Sequence, residues 1–66
     1  MTKTIAQEFN KKINKASIIE ERIYLINKAE KEIKFDIGER HKQIFVFADN
    51  SKLEIFTKSK KSRVLK

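Results

Sequence analysis

Apolar residues return at every fourth position near the start of the chain: Ile5, Phe9 and Ile13, with Ala6 and Ala16 beside them. A period close to that of the α-helix puts these residues on one face, so the spacing predicts an amphipathic helix over residues 3–15. Ser17-Ile18-Ile19-Glu20 then matches the S-x-x-E capping box, which predicts a break near Ala16 and a new helix from Ser17. A single helix through 3–33 is the competing reading. In the second segment, about 18–32, Ile19, Ile23, Ile26 and Ile33 form a stripe that Ile18, Leu25 and Ala29 widen.

The period changes after that. Ile33, Phe35 and Ile37 alternate with Lys34 and Asp36, as on a strand, and Gly38 ends the run with freedom to take a positive φ in a turn. Lys42-Gln43-Ile44-Phe45-Val46-Phe47-Ala48 is β-branched and aromatic. Asp49-Asn50-Ser51 is a turn cluster, and Leu53, Ile55 and Thr57 alternate beyond it. Two strands about a short Asp/Asn turn predict a hairpin. Adding 33–37 makes it a three-stranded meander. Residues 58–66 show no periodic face, and like-charge repulsion predicts an extended, mobile tail, with Val64-Leu65 as the one part able to dock. The fold class is therefore α+β: one or two N-terminal helices on an antiparallel hairpin or meander, with a domain over 1–57 and a basic tail over 58–66.

Alternation sends Ile44, Val46 and Ala48 to one side of the hairpin and Phe45 and Phe47 to the other. The partner strand adds Leu53 and Ile55 to one side and Phe56 to the other. Two helices cover only one face of a small sheet. The expectation is that Phe45, Phe47 and Phe56 form the uncovered side, a patch suited to a protein interface or a homodimer; the competing readings are that the helices straddle the sheet, or that these rings line the core and the other face is exposed.

Charge sharpens this picture. The chain has 66 residues and a formal net charge of +7. Residues 52–66 carry +5 of it, as Lys52, Lys58, Lys60, Lys61, Arg63 and Lys66 against Glu54 alone. Lys3, Lys11, Lys12 and Lys15 add a smaller basic group, and the middle of the chain is near neutral. A composition rich in Lys, Asn, Ile and Phe matches an AT-rich genome such as those of many bacteria and their phages, so clustering says more than total charge. The tail is read either as a solvated segment that aids solubility or as the mark of a polyanionic partner: nucleic-acid backbone, held by phosphate contacts that weaken with salt, or an acidic protein surface. Aromatic rings beside Lys42, Lys52 and Lys58 add the possibility of base stacking.

Other chemistry is thinly represented. There is no Cys, so neither a disulfide nor a thiolate metal site can form, and a reducing cytoplasm is the expected compartment. The N-terminal segment has no long apolar run, and the longest apolar stretch, Ile44 to Ala48, is far too short to span a membrane. His41 is the sole imidazole and lies in a polar turn. No cofactor, small-molecule substrate or catalytic residue is expected, and a non-catalytic binding or regulatory protein is. Ser59 and Ser62 are candidate phosphorylation sites that would weaken anion binding.

In size and charge the stretch from Arg40 to Lys61 resembles small phage repressors of the Cro type. The front half departs from them. Asn14-Lys15-Ala16-Ser17 lacks the tight, often Gly-containing turn of a helix-turn-helix, and an Ile-rich second helix offers no polar reading face. Small ribonuclease toxins also join helices, a sheet and basic residues. Arg40, His41 and Arg63 would be the candidates here, but no motif surrounds them.

Overall fold

A computed structural model describes residues 3–65. Two helices, α1 (Ile5–Lys15) and α2 (Ile19–Glu30), precede four strands: β1 (Ile33–Gly38), β2 (Lys42–Phe47), β3 (Lys52–Phe56) and β4 (Ser62–Leu65). The strands form one antiparallel sheet in the order β1-β2-β3-β4. The architecture is α+β, with helices on one face of an open sheet.

The chain breaks at Ala16, as expected, but the capping box lies elsewhere. Ile18 is the N-cap of α2 and makes no side-chain cap bond. The box that forms is at α1, where the Thr4 hydroxyl accepts from the Gln7 N–H and the Gln7 side chain accepts from the Thr4 N–H. The β2–β3 turn completes that cap. Asp49 accepts from the Ile5 N–H at 2.9 Å, and the Ser51 hydroxyl oxygen accepts from the Ala6 N–H at 3.1 Å. The free N–H groups of the first helical turn are thus all satisfied, two of them by residues distant in sequence.

Ala6, Phe9 and Ile13 of α1 are buried against Phe45, Phe47, Leu53 and Ile55. The rings of Phe9 and Phe47 stack at 5.8 Å, and Phe45 meets Phe47 edge-on at 6.4 Å. This corrects the expected interface. Phe45 and Phe47 are fully buried beneath the helices, because Phe9 gives them an aromatic partner, and Leu53 and Ile55 share their face. Burying such rings is the largest apolar gain available to so small a domain.

The register of β1 also differs from simple alternation. Ile33 pairs with Phe47 while Phe35 pairs with Val46, so one extra residue is inserted between them. A bulge of this kind reverses side-chain parity. Ile33 therefore packs on the core, while Phe35 and Ile37 face away from the helices and are 52% and 44% exposed. Gly38 ends the strand without a positive φ; the left-handed residues are Asn50 and Lys60.

The expected mobile tail is corrected too. Residues 62–65 are a strand paired with β3, Leu53 with Val64 and Glu54 with Arg63. Val64 packs against the core and Ser62 is buried. α2 is less deeply seated than its Ile stripe predicts. Ala29 is its one buried residue, and Ile18, Ile19, Ile23 and Tyr24 are exposed.

Candidate nucleic-acid interface

The β3–β4 hairpin gathers most of the basic residues singled out from the sequence. Residues 57–61 link the two strands; the Lys60 N–H donates to the Phe56 carbonyl at 2.9 Å and the Phe56 N–H to the Lys61 carbonyl at 3.0 Å. Lys60 takes a left-handed φ of 58° to close this loop. The Thr57 N–H and hydroxyl both donate to the His41 carbonyl, at 3.1 and 3.0 Å, tying the loop to the β1–β2 turn. Lys58, Lys60 and Lys61 thus share one end of the sheet with Arg40 and His41. It is the carbonyl of His41, not its ring, that makes these bonds.

A basic residue that the sequence places on a solvated stretch of the second helix, outside the candidate site, joins them. Arg22, in the first part of α2, donates from Nη1 to the Ser59 carbonyl at 3.2 Å. Its Nε is buried with no hydrogen-bond partner, alone in this among the side-chain atoms of the described residues. An open groove of about 500 Å³ runs beside it, lined by Asn14, Arg22, Phe56, Lys61, Ser62 and Arg63. Three cations and an aromatic ring line this groove, and no acid does. Spacing gave no hint of Arg22, because it enters through the packing of α2 against the hairpin.

The groove floor is fixed by an amide pairing. Asn14 Nδ2 donates to the Ser62 carbonyl at 3.1 Å, and the Ser62 N–H donates to Asn14 Oδ1 at 3.3 Å. The side chain thereby serves as a neighbouring strand at the edge of β4. The Ser62 hydroxyl donates to Asn10 Oδ1 at 2.9 Å. Ser62 is buried by these contacts, so of the two serines considered for phosphorylation Ser59 is the accessible one.

Arg63 has two roles. Its Nη2 donates to Glu54 Oε1 at 2.9 Å across the β3–β4 pair, while the side chain remains 64% exposed. Lys42 holds the other Glu54 oxygen at 3.0 Å. Glu54 is only 2% exposed, flanked by these cations on the sheet face away from the helices. The Lys42 hydrogen bond, with the Arg63 charge beside it, holds the Glu54 carboxyl below its ordinary 4.5, against the opposing effect of burial.

The remaining expected site residues are placed apart. Lys52 is exposed at the far end of β3, opposite Leu65. Lys66 lies outside the described residues. Phe56 is 36% exposed and stands in the groove, separated from the buried Phe45 and Phe47. Lys3, ahead of α1, and the α1 lysines Lys11, Lys12 and Lys15 line a second shallow groove together with Glu8.

No protein-family model, curated protein or solved structure matches this chain. Among the described residues, no three His, Cys, Asp or Glu side chains converge as a metal site. No helix there is long and apolar enough to cross a membrane.

Proposed function

We propose that this chain is a small non-catalytic protein that contacts nucleic-acid backbone through the β3–β4 hairpin and the groove beside it. The observation that carries this is the lining of the groove: Arg22 and Lys61, with Arg63, whose Nη2 is shared with Glu54, and no carboxylate in the lining itself. Lys58 and Lys60 extend the positive surface along the adjoining loop. The basic segment acts as a folded hairpin, which places its charges at fixed positions and lowers the ordering cost of binding. Arginine suits the task because its planar fork can hold phosphate oxygens in pairs.

Titration of mixed-sequence oligonucleotides across salt concentration tests the proposal. Each phosphate contact releases counterions, so log K falls linearly with log salt. Replacing Lys58, Lys60 and Lys61 with Gln together is expected to flatten that slope by about three, roughly one per lost contact. Absence of binding at low salt would overturn the proposal.

A second reading is favoured by Phe35 and Ile37, whose side chains stand exposed on edge strand β1. They suit a protein partner docking on the open sheet face or along the strand edge, as an inhibitor or adaptor target would. Capture of a defined partner that is lost in Phe35→Ser with the fold intact, and unaffected in the Gln triple variant, would favour this reading over the first.

A further inference from the structure

We infer that the groove seats single-stranded nucleic acid, with a base stacked on Phe56 and the flanking phosphates held by Arg22, Lys61 and Arg63. This rests on the nucleic-acid reading above and specifies the form of the ligand. Phosphate alone accounts for the cations but not for Phe56. That ring closes β3 beside Lys61, is 36% exposed, and lines the same groove as the three cations. An exposed aromatic face among cations offers what an unpaired base requires, a flat apolar surface within reach of phosphate partners. In a duplex the bases are already stacked on one another, so Phe56 would have nothing to receive.

Arg22 supplies a second, independent observation. Only one bond, from Nη1 to the Ser59 carbonyl, is made by its guanidinium, and its Nε is buried without an acceptor. Such a donor is left short of partners until an anion approaches or the side chain turns. A phosphate in the groove provides oxygens for the guanidinium to turn towards.

The polar groups on the floor say how bases are read. Asn14 uses its amide on the Ser62 backbone and on Asn10, and Ser62 gives its hydroxyl to Asn10. Neither has a hydrogen-bond donor left for a base edge. Binding is therefore expected to be tolerant of sequence, because stacking accepts every base and the cations see only backbone.

The test uses the full chain at low salt with three probes: a mixed-sequence single strand, the same sequence as duplex, and inorganic polyphosphate of matching charge. Phe56→Leu removes the ring and keeps an apolar side chain; Phe56→Tyr keeps the ring. Base stacking on one aromatic is worth about 1–3 kcal/mol, so Phe56→Leu is expected to weaken the single strand by about fivefold or more. Polyphosphate binding should be unchanged in that variant, and Phe56→Tyr should bind the single strand like the parent. Arg22→Gln should weaken both the single strand and polyphosphate. Undiminished single-strand binding by Phe56→Leu, or duplex bound as tightly as single strand, would overturn the inference while leaving backbone binding intact. Failure to bind any of the three probes would overturn both.

Discussion

The carboxylate of Asp49 accepts a hydrogen bond from the backbone N–H of Ile5 at 2.9 Å, joining the turn between β2 and β3 to the first residue of α1. One turn thus does two things. It closes a hairpin, with Asn50 left-handed and Asp49 bonded to the Ser51 N–H and hydroxyl. It also places a negative charge at the positive end of a helix. The helix and the hairpin, each marginal alone, are thereby oriented on each other.

This arrangement predicts acid sensitivity. The Ser51 hydroxyl, followed by the Ile5 N–H, holds the Asp49 carboxyl below its ordinary 3.8. A carboxyl whose folded value is depressed binds its proton less readily in the folded than in the unfolded state. Its contribution to stability is complete above the unfolded value and is lost as pH falls through the folded one. Glu54, also depressed, acts with the same sign. Thermal melts from pH 7 down to pH 2 should show stability falling below about pH 4.5. Asp49→Asn should make that decline shallower, having already lowered stability at neutral pH. An unchanged pH profile in Asp49→Asn would show that the carboxylate contributes nothing.

The local half of the same cap can be measured separately. Thr4→Ala removes the acceptor for the Gln7 N–H. Loss of an N-cap side chain costs about 1 kcal/mol. Asp49 and Ser51 still hold the two preceding N–H groups, so the helix should remain folded. Chemical denaturation should give a lower midpoint with an unchanged slope.

Core and surface aromatics should separate sharply. Phe47→Ala removes the ring that stacks on Phe9 and meets Phe45. Truncating a buried Phe costs about 3–5 kcal/mol, comparable with the whole stability of a domain this small. Circular dichroism of Phe47→Ala should show a largely unfolded chain at room temperature. Phe35→Ala, on an exposed edge position, should stay within about 0.5 kcal/mol of the parent.

What the sequence made legible follows from the range of the forces involved. Helix α1 and the β2–β3 hairpin could be read from local terms: a four-residue apolar spacing, β-branched runs, and an Asp-Asn-Ser turn. The break at Ala16 was legible as well, though it comes without the Ser17 cap invoked for it. The orientation of Phe45 and Phe47 was not, because both hairpin faces are apolar and only the meeting with Phe9 chooses between them. The bulge at Lys34 was hidden for a similar reason. An unbroken Ile-x-Phe-x-Ile alternation gives no sign that Phe35 and Ile37 face the other way from Ile33. Strand β4 was obscured by its lysine-rich approach. The signal available was Arg63 placed to meet Glu54 across a turn, with Val64 as an apolar residue beside it. Arg22, on which the groove depends, belongs to a helix whose pattern says nothing about what lies opposite.

Asn14 and Ser62 give the last prediction, because they decide whether the basic segment is a strand or a loose end. The Asn14 amide holds both the N–H and the carbonyl of Ser62, at 3.3 and 3.1 Å. Asn14→Leu removes donor and acceptor together and leaves two backbone groups at a partly buried edge without these partners. Unsatisfied buried groups cost about 1–3 kcal/mol each, with solvent access at the edge favouring the low end. The Ser62 amide should then exchange with solvent faster, and by a larger factor than amides of β2. Ending the chain at Lys61 should have a greater effect. It deletes one of the two partners of β3, removes Val64 from the core and leaves Glu54 without Arg63. That truncation should unfold the domain rather than merely strip charge from it, a difference that circular dichroism and the breadth of amide dispersion would reveal. A shortened chain that keeps the parent's melting temperature would mean that residues 62–65 do not support the sheet.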